Sequence, residues 1–290
     1  TYNILDASGN NVGTYSTPIY LFNDRINKAF GSIFALQSNG NSYYNGLLVN
    51  LKTRFRSWFQ GDVAYTWSHT IDDGIKGAGT SILFGSTFPT SYANGFYKGD
   101  RGSASTDQRH RLTVNAVFAP TFSHADNWAG RYLENGWQFS IISVAASSEP
   151  LQPTISMSSS NAPPVGQMFS TSTLNGLGGS FRVPFESTSA LDIGRFIKTD
   201  ARVVKQFPIT ERVKVNLGFE AFNVFNHLIV SGASPRQTQQ YTATAVKNGA
   251  GAITAVNLVP FANYSLITAT QMPPDGTTAR RAQVVARFIW

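Results

Sequence analysis

The 290-residue chain has no cysteine, which excludes disulfides, thiolate metal sites and a cysteine nucleophile. Charge is scarce as well. Asp, Glu, Lys and Arg make up 13% of the residues, against about 25% in an ordinary globular chain. No run of about 18 apolar residues occurs, so no membrane helix is encoded. No GxSxG motif frames a serine, and none of the four histidines sits in a context that suggests a catalytic base. We therefore expect no enzyme, no cofactor and no metal. The net charge is +7, but the basic residues are scattered and form no stripe, so no nucleic-acid partner is expected. The chain also lacks an initiator Met and a signal peptide. Its opening, "TYNILDASGNN", reads as a processed end or the interior of a longer protein.

What is present is aromatic residues, at 13%, and period-two alternation. Eight segments alternate as strands do. They are "FGSIFALQS" (30–38), "SYYNGLLVNLKTRF" (42–55), "WFQGDVAYTWSHT" (58–70), "HRLTVNAVFA" (110–119), "GWQFSIISVAAS" (136–147), the weaker "DARVVKQFP" (200–208), a stretch within "ERVKVNLGFEAFNVFNH" (211–227), and "AQVVARFIW" (282–290). In the second, Tyr43, Leu47, Val49, Leu51 and Phe55 oppose Asn50, Lys52 and Arg54. In the seventh, Val213, Val215, Leu217 and Phe219 oppose Lys214, Asn216, Gly218 and Glu220.

The strands run to about 9–14 residues, whereas a globular strand has about 5–6 and a membrane-crossing one about 9–11. Their connections alternate. Arg56 and Ser57 alone separate one pair, and "PITE" separates another. The links 71–109, 148–199 and 226–281 are long. Short turns at one end and long loops at the other are the layout of an outer-membrane barrel. If the last strand ends in the periplasm, all three long loops lie outside. Tyr43 and Trp67 then sit near the outer interface. Phe55, Phe59, Phe118, Trp137 and Trp290 sit near the inner one, as aromatic girdles require. The fold class predicted is all-β, an antiparallel transmembrane β-barrel. The Gly-, Ser- and Thr-rich long loops are expected to hold little regular structure.

Several residue groups are candidates for function. The alternation places Asn50, Lys52, Arg54, Asp62, Arg202, Lys214, Asn216 and Glu220 on a polar wall facing the lumen. A charge on the lipid face costs about 2–4 kcal/mol for Arg or Lys near the midplane. We expect these groups to form cross-strand ladders, such as one joining Lys214 to the neighbours of Glu220, before any substrate contact. His69, Asp72 and Asp73 crowd one strand end, as a metal or acid–base set would, or as a polar rim would. Asp100, Arg101, Asp107, Arg109, His110 and Arg111 form a mixed-charge group that reads as a salt-bridged rim, or as a mouth that meets anionic ligand. "NGLGG" (175–179) follows no strand and opens no helix, so it is loop and not a phosphate cradle.

In order, "NGNSYYNGLLVNLKTRF", "VAYTWSHTIDDG", "DRGSASTDQRHRLTVNAVF", "GWQFSIISVAASSEPLQPTIS" and "DARVVKQFPITERVKVNLGFEAFNVFNH" resemble the C-terminal barrel of TonB-dependent outer-membrane receptors, in the Oar-like branch that carries an N-terminal carboxypeptidase-regulatory-like domain. The resemblance covers roughly residues 18 to 290. "SSEP" (147–150) departs from the family's "SGxP". The resemblance implies a barrel of about 22 strands around a plug, with uptake energised through TonB. About eight of those strands would lie here. Residues 1–290 would be the C-terminal barrel portion, with plug and signal peptide absent. The terminal aromatics Phe288 and Trp290 would be the signal read by the barrel-assembly machinery, and residue 290 would be the true C-terminus. Partners implied are outer-membrane lipid, lipopolysaccharide, that machinery, and plug and TonB through the missing part. The alternative is a small self-closed outer-membrane barrel with a structural or adhesive role, because eight strands just fill their own interior.

Overall fold

The computed structural model of the protein describes every residue except 22, 24, 25, 28, 31–40, 74–100, 126, 162–167, 169–173, 177–181, 231–235 and 269–278. Among the described residues there are fifteen strands, labelled β1 to β15 in chain order, and no helix long and apolar enough to cross a membrane.

Seven long strands form one antiparallel sheet in chain order: β3 (Ser42–Phe55), β4 (Phe59–Asp72), β6 (His110–Phe118), β7 (Trp137–Ala146), β11 (Phe196–Pro208), β12 (Lys214–Phe222) and β15 (Arg281–Ile289). Each pairs with its neighbours in the chain order of long strands, and a two-residue strand, β5 (Gly102–Ser103), adds to the end of β4. The strands are 9 to 14 residues long, the length that crosses a bilayer. Seven of the eight strands expected from alternation are thus present, and β11 starts earlier than expected, at Phe196. The eighth, 30–38, lies outside the described residues. The sheet is open, not a closed barrel: among the described residues β3 pairs only with β4, and β15 only with β12. All fourteen residues of β3 are exposed, in keeping with a strand that has a partner on one edge only among the described residues.

The short connections lie together at one end. At the β3–β4 turn Arg56 takes a left-handed conformation (φ 52°) and Trp58 follows, its ring edge-on to Phe55 and Phe118 at 5.4 and 5.3 Å. In the β11–β12 turn the Thr210 hydroxyl accepts from the Arg212 and Val213 amides.

The Gly-, Ser- and Thr-rich stretch 76–96 and most of 162–181 lie outside the described residues, but the connection 226–281 carries two strands that alternation did not disclose. A second, five-stranded sheet runs in the order β2 (Asn11–Tyr15), β1 (Tyr2–Leu5), β14 (Ile253–Pro260), β13 (Gln239–Lys247) and β9 (Thr154–Met157). A small pair, β8 (Pro150–Leu151) with β10 (Leu191–Asp192), stands beside it. Three distant segments at the same end of the long strands build this module, and it holds the best-buried apolar cluster: Tyr2, Ile155, Leu174, Val183, Ala243, Val256 and Leu258. Tyr15, Phe185 and Tyr241 stack along its side, with centroids 5.3 and 5.9 Å apart. The reason is visible locally. Asp6 accepts from the Ser8 and Asn10 amides, and Asn248 accepts from Ala250 and Ala252. Both are side-chain-locked turns that reverse the chain into hairpins.

Candidate functional site

Strand pairing puts the polar candidates on one face of the long sheet. One register row runs Arg54, Gln60, Val117, Ser140, Arg202, Glu220, Gln283. The next includes Lys52, Asp62, Asn115 and Asp200. Asn50 lies opposite Ala64 in the row beyond, and Asn216 lies between Gln206 and Arg287. Lys214, opposite Pro208 and Ile289, ends the face at the short-turn side. The charges pair across strands. Lys52 Nζ is 3.6 Å from Asp62, Arg202 Nε is 3.0 Å from Glu220, and Gln283 Nε2 donates to Glu220 at 2.6 Å. Lys198 adds a pair to Asp200 at 3.1 Å on its own strand. The ladder at Glu220 therefore runs to Arg202 and Gln283; Lys214 is three register rows away, because residues six apart on a strand lie far along it. A shallow open hollow of about 260 Å³ lies against this wall, lined by Lys52, Arg54, Gln60, Asp62 and Asn115 among others.

The opposite face is apolar. Phe118, Phe139 and Trp137 form a run of rings near the short-turn end, with centroids 6.2 and 6.3 Å apart. Phe59 and Trp58 extend it to β4. Phe288 lies on this face beside Val215, and Trp290, just past β15, is exposed. Near the other end Tyr43 and Trp67 share the face, and Tyr65 bonds His110 Nδ1 at 2.8 Å.

One cation breaks the segregation, and sequence reasoning missed it. Lys205 pairs with Trp137 and Leu217 and so belongs to the apolar face. It is only 6% exposed. Its ammonium turns to the short-turn end, donates to the Leu133 and Asn135 carbonyls, and lies 5.1 Å from the Trp137 ring centroid. Its stem lies along the apolar face while its head reaches polar atoms at the strand end, as a snorkelling cation does; the register that puts Lys205 in line with Val203 and Phe207 was the available signal.

At the long-loop end two buried carboxylates hold the feet of the 73–109 connection. Asp107 accepts from the Thr70 amide (2.8 Å), Arg109 Nε (2.9 Å) and His69 Nδ1 (3.0 Å), while Arg109 also reaches His69 Nε2 at 3.1 Å. Burial pushes the Asp107 carboxyl up, but these donors outweigh it and hold it below the usual carboxylate range. Asp73 takes Arg101 at 2.8 Å and the amide and side chain of Asn41. Burial opposes ionisation there too, and the Asn41 and Arg101 donors again win. Arg101 lies over the Tyr43 ring. Arg111 donates to Gln108, whose amide reaches Glu149. Asp100 lies outside the described residues. His69, Asp72 and Asp73 do not converge as a metal or acid–base set would. Alternation sends His69 and Asp72 to opposite faces of β4, and Asp73 turns to Arg101. Both nitrogens of His69 are engaged, which leaves it no lone pair to offer as a base.

The polar wall is paired in part, with Arg54, Lys214 and Arg287 outside the ion pairs among the described residues, the apolar face is ringed with aromatics, and the rim is held by ion pairs. A family model described as an outer membrane beta barrel domain matches residues 2–260, nearly the whole chain and including the module. No curated protein and no solved structure matches. On that match, and with the long amphipathic strands it explains, the chain belongs to the outer membrane β-barrel family and is located in the outer membrane.

Proposed function

We propose that the chain forms part of the wall of a TonB-dependent receptor barrel, one that closes with further strands around a plug and takes up ligand across the outer membrane. The observation that carries this is the open sheet. β3 and β15 each present an unpaired edge among the described residues, and the polar face between them carries small residues such as Ala64, Thr113, Ser140 and Gly218. A barrel of about eight strands fills its lumen with side chains, whereas wide barrels leave room for a plug. In this role Lys52, Asp62, Arg202 and Glu220 form the wall that meets the plug. The rim and the module receive ligand outside, and Phe288 and Trp290 serve the assembly machinery. No covalent chemistry is assigned to the chain.

The test is whether the chain closes alone. Refolded by itself in detergent, it should give no compact, heat-modifiable band, while the full-length protein should. A heat-modifiable monomer from the chain alone would overturn the reading. It would favour the second one, a small barrel displaying an adhesive module, which rests on the buried core of the five-stranded sheet.

A further inference from the structure

The β6–β7 connection, 119–136, is the longest of the short-turn end, and it is folded. Asn135 staples it: its Oδ1 accepts from the Phe122 and Ser123 amides, and its Nδ2 donates to the Ser123 carbonyl. A helical turn over Gly130–Glu134 follows Trp128, with Asn127 accepting from the Gly130 amide. This turn lies on the apolar side of the wall. Its Leu133 carbonyl is bonded by Trp137 Nε1 at 2.8 Å and approached by Lys205 Nζ, and both side chains belong to the apolar face. What it then shows to its surroundings is mixed: His124, Asn127, Arg131 and Glu134 are exposed, and beside them stand three large apolar side chains. Trp128 is 66% and Leu133 56% exposed, Phe122 is exposed too, and Trp128 packs on Tyr132 at 6.0 Å. A single exposed apolar residue needs no explanation, but a clustered set contiguous with the Trp137–Phe139–Phe118 ring run does.

We propose that this turn is a membrane-surface anchor: it folds outward from the wall and seats Phe122, Trp128 and Leu133 at the headgroup–acyl boundary of glycerophospholipids beside the inner rim. Lys205 fixes its angle. An ammonium on a lipid-facing position needs a polar partner, and the turn's carbonyls supply it without drawing the cation into the lumen. Trp and Leu beside polar Asn127 and Glu134 are the composition of an interfacial segment. The choice of glycerophospholipid, and not lipopolysaccharide, rests on the reading that the short turns face the periplasm.

These 290 residues contain no cysteine, so a cysteine introduced among them, with any cysteine elsewhere in the protein replaced by serine, carries a unique spin label. In the full-length protein reconstituted in phosphatidylethanolamine–phosphatidylglycerol vesicles, labels at Leu133→Cys, Glu134→Cys and Phe219→Cys are compared for collision with oxygen and with a water-soluble nickel chelate. Leu133 is expected to favour oxygen, at a depth between the wall label at 219 and the aqueous label at 134. Lys205→Met should remove that preference at 133 and leave 219 unchanged. A Leu133 label as open to nickel as the one at 134, or one unmoved by Lys205→Met, overturns the anchor. A 219 label open to nickel overturns the membrane-spanning wall itself, and the anchor with it.

Discussion

Removal of the Asp107 carboxylate tests whether the rim is a lock. Asp107 is 4% exposed and accepts three hydrogen bonds, two from cationic or ionisable partners. In Asp107→Ala the Thr70 amide, His69 and Arg109 all lose their acceptor. An orphaned buried donor costs about 1–3 kcal/mol, and breaking a fully buried ion pair about 3–5. The Arg109 side chain is 49% exposed, so water recovers part of its loss. The net expectation is about 2–3 kcal/mol, a roughly 30- to 150-fold shift from docked to released loop foot. Cleavage by trypsin after Arg101 and Arg109 reports that population directly when opening is fast relative to cutting. The initial cleavage rate should rise by that factor, and less in Asp107→Asn, which keeps an oxygen for Thr70. Asp62→Ala is the control: its pair with Lys52 is 3.6 Å long and open to water, so about 0–1 kcal/mol is expected. The pH dependence has a definite sign. The folded Asp107 carboxyl titrates below its unfolded value of about 3.9, so its contribution is complete above that pH and is lost as pH falls through the lower folded value. Equal cleavage rates in wild type and Asp107→Ala, or an Asp107-dependent loss that begins near neutrality, would refute the lock.

Other substitutions separate the faces and the two sheets. Gly136 has φ +81°, and a Cβ there would lie 2.6 Å from the Gln206 carbonyl, so Gly136→Ala should lower the unfolding free energy by about 1–3 kcal/mol in a urea titration. Gly218→Ala, whose Cβ would make ordinary contacts of 3.6 Å or more, should stay within about 0.5 kcal/mol in the same urea titration. Phe219→Arg, on the lipid face of β12, should cost about 2–4 kcal/mol in vesicles. Gln283→Lys, whose side chain meets Glu220 on the lumenal face, should be close to neutral; the reverse ranking would mean the faces are misassigned. Leu258 is fully buried in the module, so Leu258→Ala should cost about 2–5 kcal/mol of module stability, seen as faster amide exchange in β13 and β14. Tyr2→Phe, which leaves the Leu174 carbonyl without the hydroxyl that bonds it at 2.6 Å, should cost about 1–3 kcal/mol in that exchange assay.

The wall was legible in the sequence because alternation persists over 9 to 14 residues and each face has one solvent to satisfy. The strand that read weakly did so for a physical reason: Lys205 occupies an apolar-face position and is rescued by carbonyls of a turn seventy residues away in the chain. The rim was half legible. Its charged residues stand out, but which carboxylate takes which cation depends on the return path of the 73–109 connection, and alternation along β4 separates His69 from Asp72. The module was not legible. Three of its strands are of four or five residues, too short for a period to declare itself, and β13 alternates threonine with alanine instead of polar with large apolar residues. Two of its pairings, β1 with β14 and β13 with β9, are parallel and join distant segments. Local turn signals were present in "DASGNN" and "KNGAG", where Asp6 and Asn248 close hairpins. Nothing local says that the two hairpins meet.

The two sheets also differ in what holds them together. β3 is exposed throughout and β15 at all but one position, so the wall's apolar face is stabilised by lipid and its polar face in part by paired charge. The module has a water-type core, with Tyr2, Leu258 and Val183 fully buried. Yet its contacts span 172 residues from Tyr2 to Leu174 and 254 from Asn3 to Asn257. Closing such loops in a free chain costs entropy that grows with the logarithm of their length, before any contact rewards it. The long strands shorten part of that: once β7 and β11, and β12 and β15, are paired, the ends of the two connections that carry β9, β13 and β14 are already neighbours, and the N-terminal hairpin then docks on β14. The module's stability is therefore conditional on the wall, whereas the wall's is not conditional on the module. An insertion defect such as Phe219→Arg should loosen both sheets, and a core defect such as Leu258→Ala only one.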